Sequence, residues 1–112
     1  MPLEVAGKAL LVDDEGYLID PAQWNEQVAE ELARRERIVL SDEHWAVIRF
    51  MREYYERRQI APDARHVIKH LAGVRGAGSK GRNDLFVLFP YGYVKQACKI
   101  AGMRRPRAWS TG

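Results

Sequence analysis

The chain has 112 residues, of which 46% are hydrophobic and 29% charged, a composition that fits one globular domain and excludes a disordered chain. The net charge of +3 conceals an asymmetry, because residues 1–56 hold six basic and thirteen acidic side chains, whereas residues 57–112 hold twelve basic and two acidic ones. This pattern predicts a surface for an anionic partner, either nucleic acid or an acidic protein, unless the two halves pack together and neutralise each other.

Residues 1–19 are predicted to form a β-hairpin region. Two short apolar segments, 3–5 and 9–12, flank a turn that contains Gly7, and Asp13 to Gly16 gives a second turn. The N-terminus lacks the basic and apolar regions of a secretory signal, and no apolar run is long enough to cross a membrane, so a cytoplasmic protein is expected.

Five helices are predicted over residues 20–102. The first begins with Asp20 as its cap and Pro21 in its first turn. The second, capped by Ser41, is apolar on most sides and should form the centre of the core, with His44 at the surface near its start. The other three are expected at 63–72, 85–89 and 94–101, with a flexible glycine-rich loop over 73–81 and Gly102 as a left-handed cap.

The expected fold is therefore α+β and mainly α. It is a small orthogonal bundle of about five helices with an N-terminal β-hairpin and a flexible C-terminal arm at 103–112, forming a single monomeric domain over 1–112.

The single cysteine, Cys98, has two interpretations. It shares a predicted helical face with Ala97 and Ala101, which is typical of a small core residue. Alternatively, Lys95 and Lys99 favour its thiolate, which makes it a candidate nucleophile. One cysteine also excludes an internal disulfide and fits a reducing compartment.

Metal and cofactor sites are not predicted. His66 and His70 have the i,i+4 spacing of two metal ligands, but the glutamate of a zinc-protease motif is missing and the cysteine is distant in sequence. The segment GVRGAGSKGR lacks the spacing of a phosphate-binding P-loop.

Basic residues suggest two binding surfaces. Candidates for partner binding are Lys95, Lys99, Arg104, Arg105, Arg107 and Trp109, although a tail of this kind can also serve only solubility. Helices 42–58 and 63–72 resemble a helix-turn-helix, so an alternative function is a nucleic-acid-binding regulator. Its contacts would come from Arg65, His66, Lys69, His70, Arg75, Lys80 and Arg82.

Three segments resemble the TusE/DsrC/DsvC sulfur-relay family: GYLIDPAQWNEQVAEELARRE, LSDEHWAVIRFMREYY and LFPYGYVKQACKIAGMRRP. The resemblance covers Val5 to Pro106 and implies a small, mainly helical fold with an N-terminal hairpin. It also implies a sulfurtransferase-family protein whose arm carries a persulfide on a penultimate cysteine. The partners it implies are sulfur-relay proteins, a tRNA-modifying enzyme or dissimilatory sulfite reductase.

The chain departs from that pattern at the arm. Cys98 matches the family's upstream cysteine, but the eleventh residue after it is Trp109, where the resemblance implies the transfer cysteine. An indole cannot hold a persulfide, so the resemblance leaves Cys98 as the candidate sulfur acceptor. The expectation is therefore a docking or regulatory member of the family, and not an independent catalyst.

Overall fold

The computed structural model describes residues 2–105. The predicted arm residues Arg107 and Trp109 lie outside this range. Within it the chain forms strands β1 (Pro2–Val5) and β2 (Lys8–Leu11) and helices α1 (Glu26–Arg35), α2 (Asp42–Arg58), α3 (Ala64–Arg75), α4 (Arg82–Leu88) and α5 (Cys98–Ile100). The predicted class, a mainly helical bundle with an N-terminal hairpin, is confirmed.

The hairpin is held to the helices by one face. β1 and β2 pair antiparallel with Leu3 opposite Leu10, and both side chains are buried. Ala6 and Gly7 join the strands with φ angles of 52° and 80°, as a tight turn between twisted strands requires. Packing the hairpin on the bundle supplies the stability that two strands alone would lack.

The first helix begins later than the sequence predicts. Asp20 caps only a 3-10 turn, Pro21–Gln23, after which the chain is extended at Trp24. The side chain of Asn25 then accepts a hydrogen bond from the Val28 amide and caps α1. Two successive capping residues lie close together here, and the break between them directs Trp24 toward the C-terminal end of the domain.

The prediction that His44 lies at the surface is wrong. Its side chain is buried because both ring nitrogens have partners: Nδ1 is 3.0 Å from the Ser41 amide, and Nε2 is 2.7 Å from the Leu88 carbonyl. His44 thus completes a capping box in the place usually held by glutamate or glutamine, and it also joins α2 to α4.

The glycine-rich segment is tied to the domain, whereas its composition predicts a flexible loop. Helix α3 continues to Arg75 and is followed by a 3-10 turn at Gly76–Gly78. The buried carboxylate of Asp84 then accepts hydrogen bonds from the Lys80 amide at 2.9 Å and the Ser79 hydroxyl at 3.0 Å. A satisfied buried carboxylate of this kind fixes the turn that precedes α4.

The last helical segment is a five-residue π-helical turn, Tyr93–Ala97, that continues into α5. It replaces the regular helix predicted for residues 94–101. Gly102 ends it with a φ of 76°, as predicted. In the described part of the chain no helix is both long and apolar enough to cross a bilayer.

Candidate functional site

Cys98 lies at the start of α5 and is completely buried. Burial raises the pKa of its thiol to about 12, although the nearby Tyr93 hydroxyl acts in the opposite direction. At neutral pH the group is therefore a neutral thiol, whereas the thiolate is the form that attacks a persulfide or disulfide. Within the folded domain, Cys98 has the properties of a core residue.

The polar group that interacts with the Cys98 thiol is the Tyr93 hydroxyl. Tyr93 is also completely buried, and its hydroxyl donates a hydrogen bond to the Pro62 carbonyl. Burial raises the pKa of Tyr93 as well, so it cannot act as a base toward the thiol. Because both groups stay protonated at neutral pH, this part of the core provides no proton acceptor for activating Cys98.

The two lysines expected to assist Cys98 have other positions. Lys99 Nζ lies 3.5 Å from Glu36 Oε2 and 5.1 Å from the centre of the Tyr17 ring, so its charge is largely directed to these groups. Lys95 is exposed. Desolvation of the thiol remains the dominant effect at Cys98.

Trp24 and Arg52 hold the end of α5 in place, and we call this group of contacts the exit. The Trp24 indole N–H donates to the Ile100 carbonyl at 2.9 Å, and Arg52 donates to the Ala101 carbonyl at 3.2 Å. Arg52 also donates to the Pro21 carbonyl at 3.0 Å, and its guanidinium lies 4.6 Å from the Trp24 ring. These contacts fix the position of Gly102, from which the C-terminal segment starts.

Sequence reasoning missed the exit. Its main residue, Arg52, reads as part of the polar strip of α2, and nothing local connects it to residues almost fifty positions away. Of the predicted partner-binding residues, Arg104 and Arg105 are exposed, and Arg105 forms an ion pair with Glu15. Arg107 and Trp109 lie outside the described residues.

The predicted nucleic-acid residues on α3 differ in their surroundings. On α3, Arg65 and Lys69 are exposed, His66 Nδ1 is 2.9 Å from Asp63 Oδ1, and His70 stacks on Phe50 with ring centres 4.4 Å apart. His66, Lys69 and His70 border a shallow groove of about 560 Å³ beside α3.

The three basic residues in and beside the glycine-rich turn differ from one another. The Arg75 guanidinium binds Glu43 at 2.6 and 2.9 Å and Asp84 at 2.7 Å, so its charge is used within the fold. Lys80 and Arg82 remain exposed. Among residues 2–105 there is no group of three histidine, cysteine, aspartate or glutamate side chains arranged to hold a metal ion.

Solved structures of DsrC proteins share this architecture of a helical domain with an N-terminal hairpin. The crystal structure of the oxidised gamma-subunit of the dissimilatory sulfite reductase (DsrC) from Archaeoglobus fulgidus superposes with a TM-score of 0.85 and 38% identity, covering 100% of this chain and 98% of that one. The NMR structure of Allochromatium vinosum DsrC gives a TM-score of 0.83 and 42% identity, with the same coverage.

Sequence relatives give the same result. The profile of the family described as DsrC like protein matches residues 4–108. Sulfurtransferase TusE from Pectobacterium atrosepticum is 39% identical over 104 residues, which are 93% of this chain and 95% of the relative. Sulfurtransferase TusE from Salmonella typhimurium is 43% identical over 100 residues, 89% and 92% of the two chains. The chain belongs to the DsrC-like family, as its sequence motifs predict.

Proposed function

We propose that this protein docks on sulfur-relay or sulfite-reductase proteins as an accessory or regulatory member of its family, and that it does not itself carry sulfur. One observation carries the proposal: the only cysteine in the 112 residues is completely buried, with a pKa raised to about 12. Sulfur transfer through a protein persulfide needs an accessible thiolate. The folded domain offers none.

Docking is supported by how completely the chain keeps the fold of proteins that have such partners. The A. fulgidus neighbour is named as a subunit of dissimilatory sulfite reductase, and the P. atrosepticum relative as a sulfurtransferase. The matches extend over nearly the whole of each chain, so the surfaces of the domain have counterparts in both. A tRNA-modifying enzyme is a further candidate partner, and a cytoplasmic monomer fits all of these roles.

The proposal predicts direct binding without sulfur chemistry. Purified A. fulgidus dissimilatory sulfite reductase, freed of its own gamma-subunit, should bind the immobilised chain with a Kd below about 10 µM. Excess gamma-subunit should displace the chain, because the two share a fold and would compete for one surface. A basic protein of unrelated fold is the control for charge alone. No binding at any accessible concentration, or binding that the gamma-subunit fails to displace, would refute docking.

Nucleic-acid binding is the second candidate, favoured by the composition of α3. Residues Ala64–Arg75 include Arg65, His66, Lys69 and His70 but no acidic side chain, and they follow α2 in a helix-turn-helix order. Binding of a short DNA duplex should then weaken steeply as salt is raised, because phosphate contacts release counterions. Replacing Arg65 and Lys69 with alanine should reduce that salt dependence. Affinity that is indifferent to salt would exclude this function.

A further inference from the structure

A second groove, distinct from the one beside α3, lies between the segment that joins α1 to α2 and the turn that joins α4 to the π-helical segment. It has a volume of about 440 Å³, and Ile38, Pro90 and Tyr91 form its apolar lining. Tyr91 is 73% exposed, and Val39, the neighbour of Ile38, is 90% exposed. Large apolar side chains that remain this exposed mark an interaction surface when they border a groove.

The rim of this groove contains a locally unfavourable residue. Arg37 follows the C-cap of α1 with a φ of 60°, and the adjacent amides close a Schellman motif: Arg37 N–H bonds to the Arg34 carbonyl at 3.0 Å and Ile38 N–H to the Ala33 carbonyl at 2.9 Å. Glycine normally takes this position, because a side chain is strained at such a φ. A strained residue beside a groove points to a function for its side chain.

The rim of the groove is positively charged. Two arginines line it: Arg35 is paired with Glu31, whereas the exposed Arg37 forms no ion pair within residues 2–105. The one acidic residue in the lining, Glu36, is bound by Gln96 at 3.2 Å and by Lys99 at 3.5 Å, so its charge is compensated. The groove therefore combines an apolar floor with uncompensated positive charge, and its occupant should be apolar and acidic.

Two other occupants fit less well. The C-terminal segment of the same chain contains Arg104, Arg105 and Arg107 and no acidic residue, so placing it in the groove would bring like charges together. Nucleic acid would require stacking surfaces for its bases, and Tyr91 is the only aromatic ring in the lining, beside aliphatic side chains. An acidic protein segment with an apolar anchor suits both the lining and the rim.

We propose that this groove is the docking site for an acidic segment of the protein partner, with an apolar side chain of that segment seated against Ile38, Pro90 and Tyr91 and its carboxylates facing Arg37. The inference rests on the proposed docking function and specifies the surface that performs it.

The test exploits the strained backbone at Arg37. Arg37→Gly should raise the melting temperature by about 3 °C by relieving the strain, and it should weaken binding to the stripped A. fulgidus sulfite reductase about tenfold by removing a rim charge. Gln59→Gly is the matched control, since Gln59 also has a positive φ, 59°, but follows the far end of α2, a helix of 17 residues that is about 25 Å long. It should raise the melting temperature similarly and leave the affinity within twofold.

Tyr91→Ala removes an apolar contact from an exposed position and should weaken binding about tenfold with little change in melting temperature. If the wild-type chain binds but Arg37→Gly and Tyr91→Ala bind equally well, the groove is not the docking site, while docking itself stands. If removal of residues 106–112 strengthens binding through the groove, its occupant is the chain's own tail, and the inference is overturned. If the wild-type chain does not bind, the proposed function and this inference fail together.

Discussion

Replacing Gly102 with alanine should destabilise the domain by about 3 kcal/mol. A Cβ at this position would lie 2.7 Å from Cγ and 2.8 Å from Cβ of Trp24, distances that real contacts do not show. The residue also has a φ of 76°, which is unfavourable for any L-amino acid with a side chain. Overpacking contributes about 1–3 kcal/mol and the left-handed backbone about 1–2 kcal/mol. Chemical denaturation followed by circular dichroism measures the sum.

The control separates these two contributions. Gly7 has a similar φ of 80°, but no atom lies within 4 Å of the Cβ position, so Gly7→Ala should lose only about 1 kcal/mol. In a Trp24→Gly background the effect of Gly102→Ala should shrink toward that value, because neither the indole nor the Cβ of residue 24 is then in the way. If Gly102→Ala and Gly7→Ala prove equally destabilising, the indole does not hold the chain exit as described.

Replacing Trp109 with cysteine should convert the chain from a protein that accepts no sulfur into one that does. The substitution restores a thiol eleven positions after Cys98, where the family resemblance implies the transfer cysteine. Three arginines nearby in sequence favour its thiolate. That thiolate attacks the outer sulfur of a donor persulfide, forming a persulfide at position 109 and releasing the donor's thiolate. Intact-mass measurement should therefore show the addition of one sulfur atom that a thiol reductant removes.

Three controls accompany this variant. Trp109→Ser should gain no sulfur, and the double variant Cys98→Ala, Trp109→Cys should gain as much as the single one, because the buried thiol takes no part. Under native conditions a thiol reagent should modify the new cysteine at least about 100-fold faster than Cys98, since reaction at Cys98 requires local opening of the core. If the Trp109→Cys chain accepts no sulfur, the missing cysteine at position 109 is not the sole reason why the unsubstituted chain carries none.

The sequence predicts the regular parts of this fold well because their signals are local. Ser41 caps α2, the turn at Gly7 joins the two strands, and Gly102 ends the last helix with a positive φ, all as expected from residue type and spacing. Each of these depends on backbone geometry within four or five residues, which is the range over which sequence patterns carry information.

The errors come from contacts between distant segments. His44 can be buried because the Leu88 carbonyl, forty-four positions later, accepts a hydrogen bond from its Nε2. The glycine-rich turn is fixed because Asp84 collects several donors. Arg37 adopts a conformation that usually requires glycine, so no local signal indicates the Schellman motif there.

The same difference between local signals and long-range contacts applies to the candidate site. The sequence leaves two interpretations of Cys98 open, and the burial that distinguishes them is a property of the folded core. The exit formed by Trp24 and Arg52 and the groove at Tyr91 each unite segments that are far apart along the chain. Neither has a motif of its own.

The most direct measurement is the intact mass of the unsubstituted chain, recovered from its complex with the partner after incubation with a persulfide donor. Since the lone thiol stays inside the core, the chain should be found bound to the partner with its mass unchanged. A stable increase of one sulfur atom that disappears in a Cys98→Ala variant would contradict the account, because it would mean that the buried cysteine opens and carries sulfur.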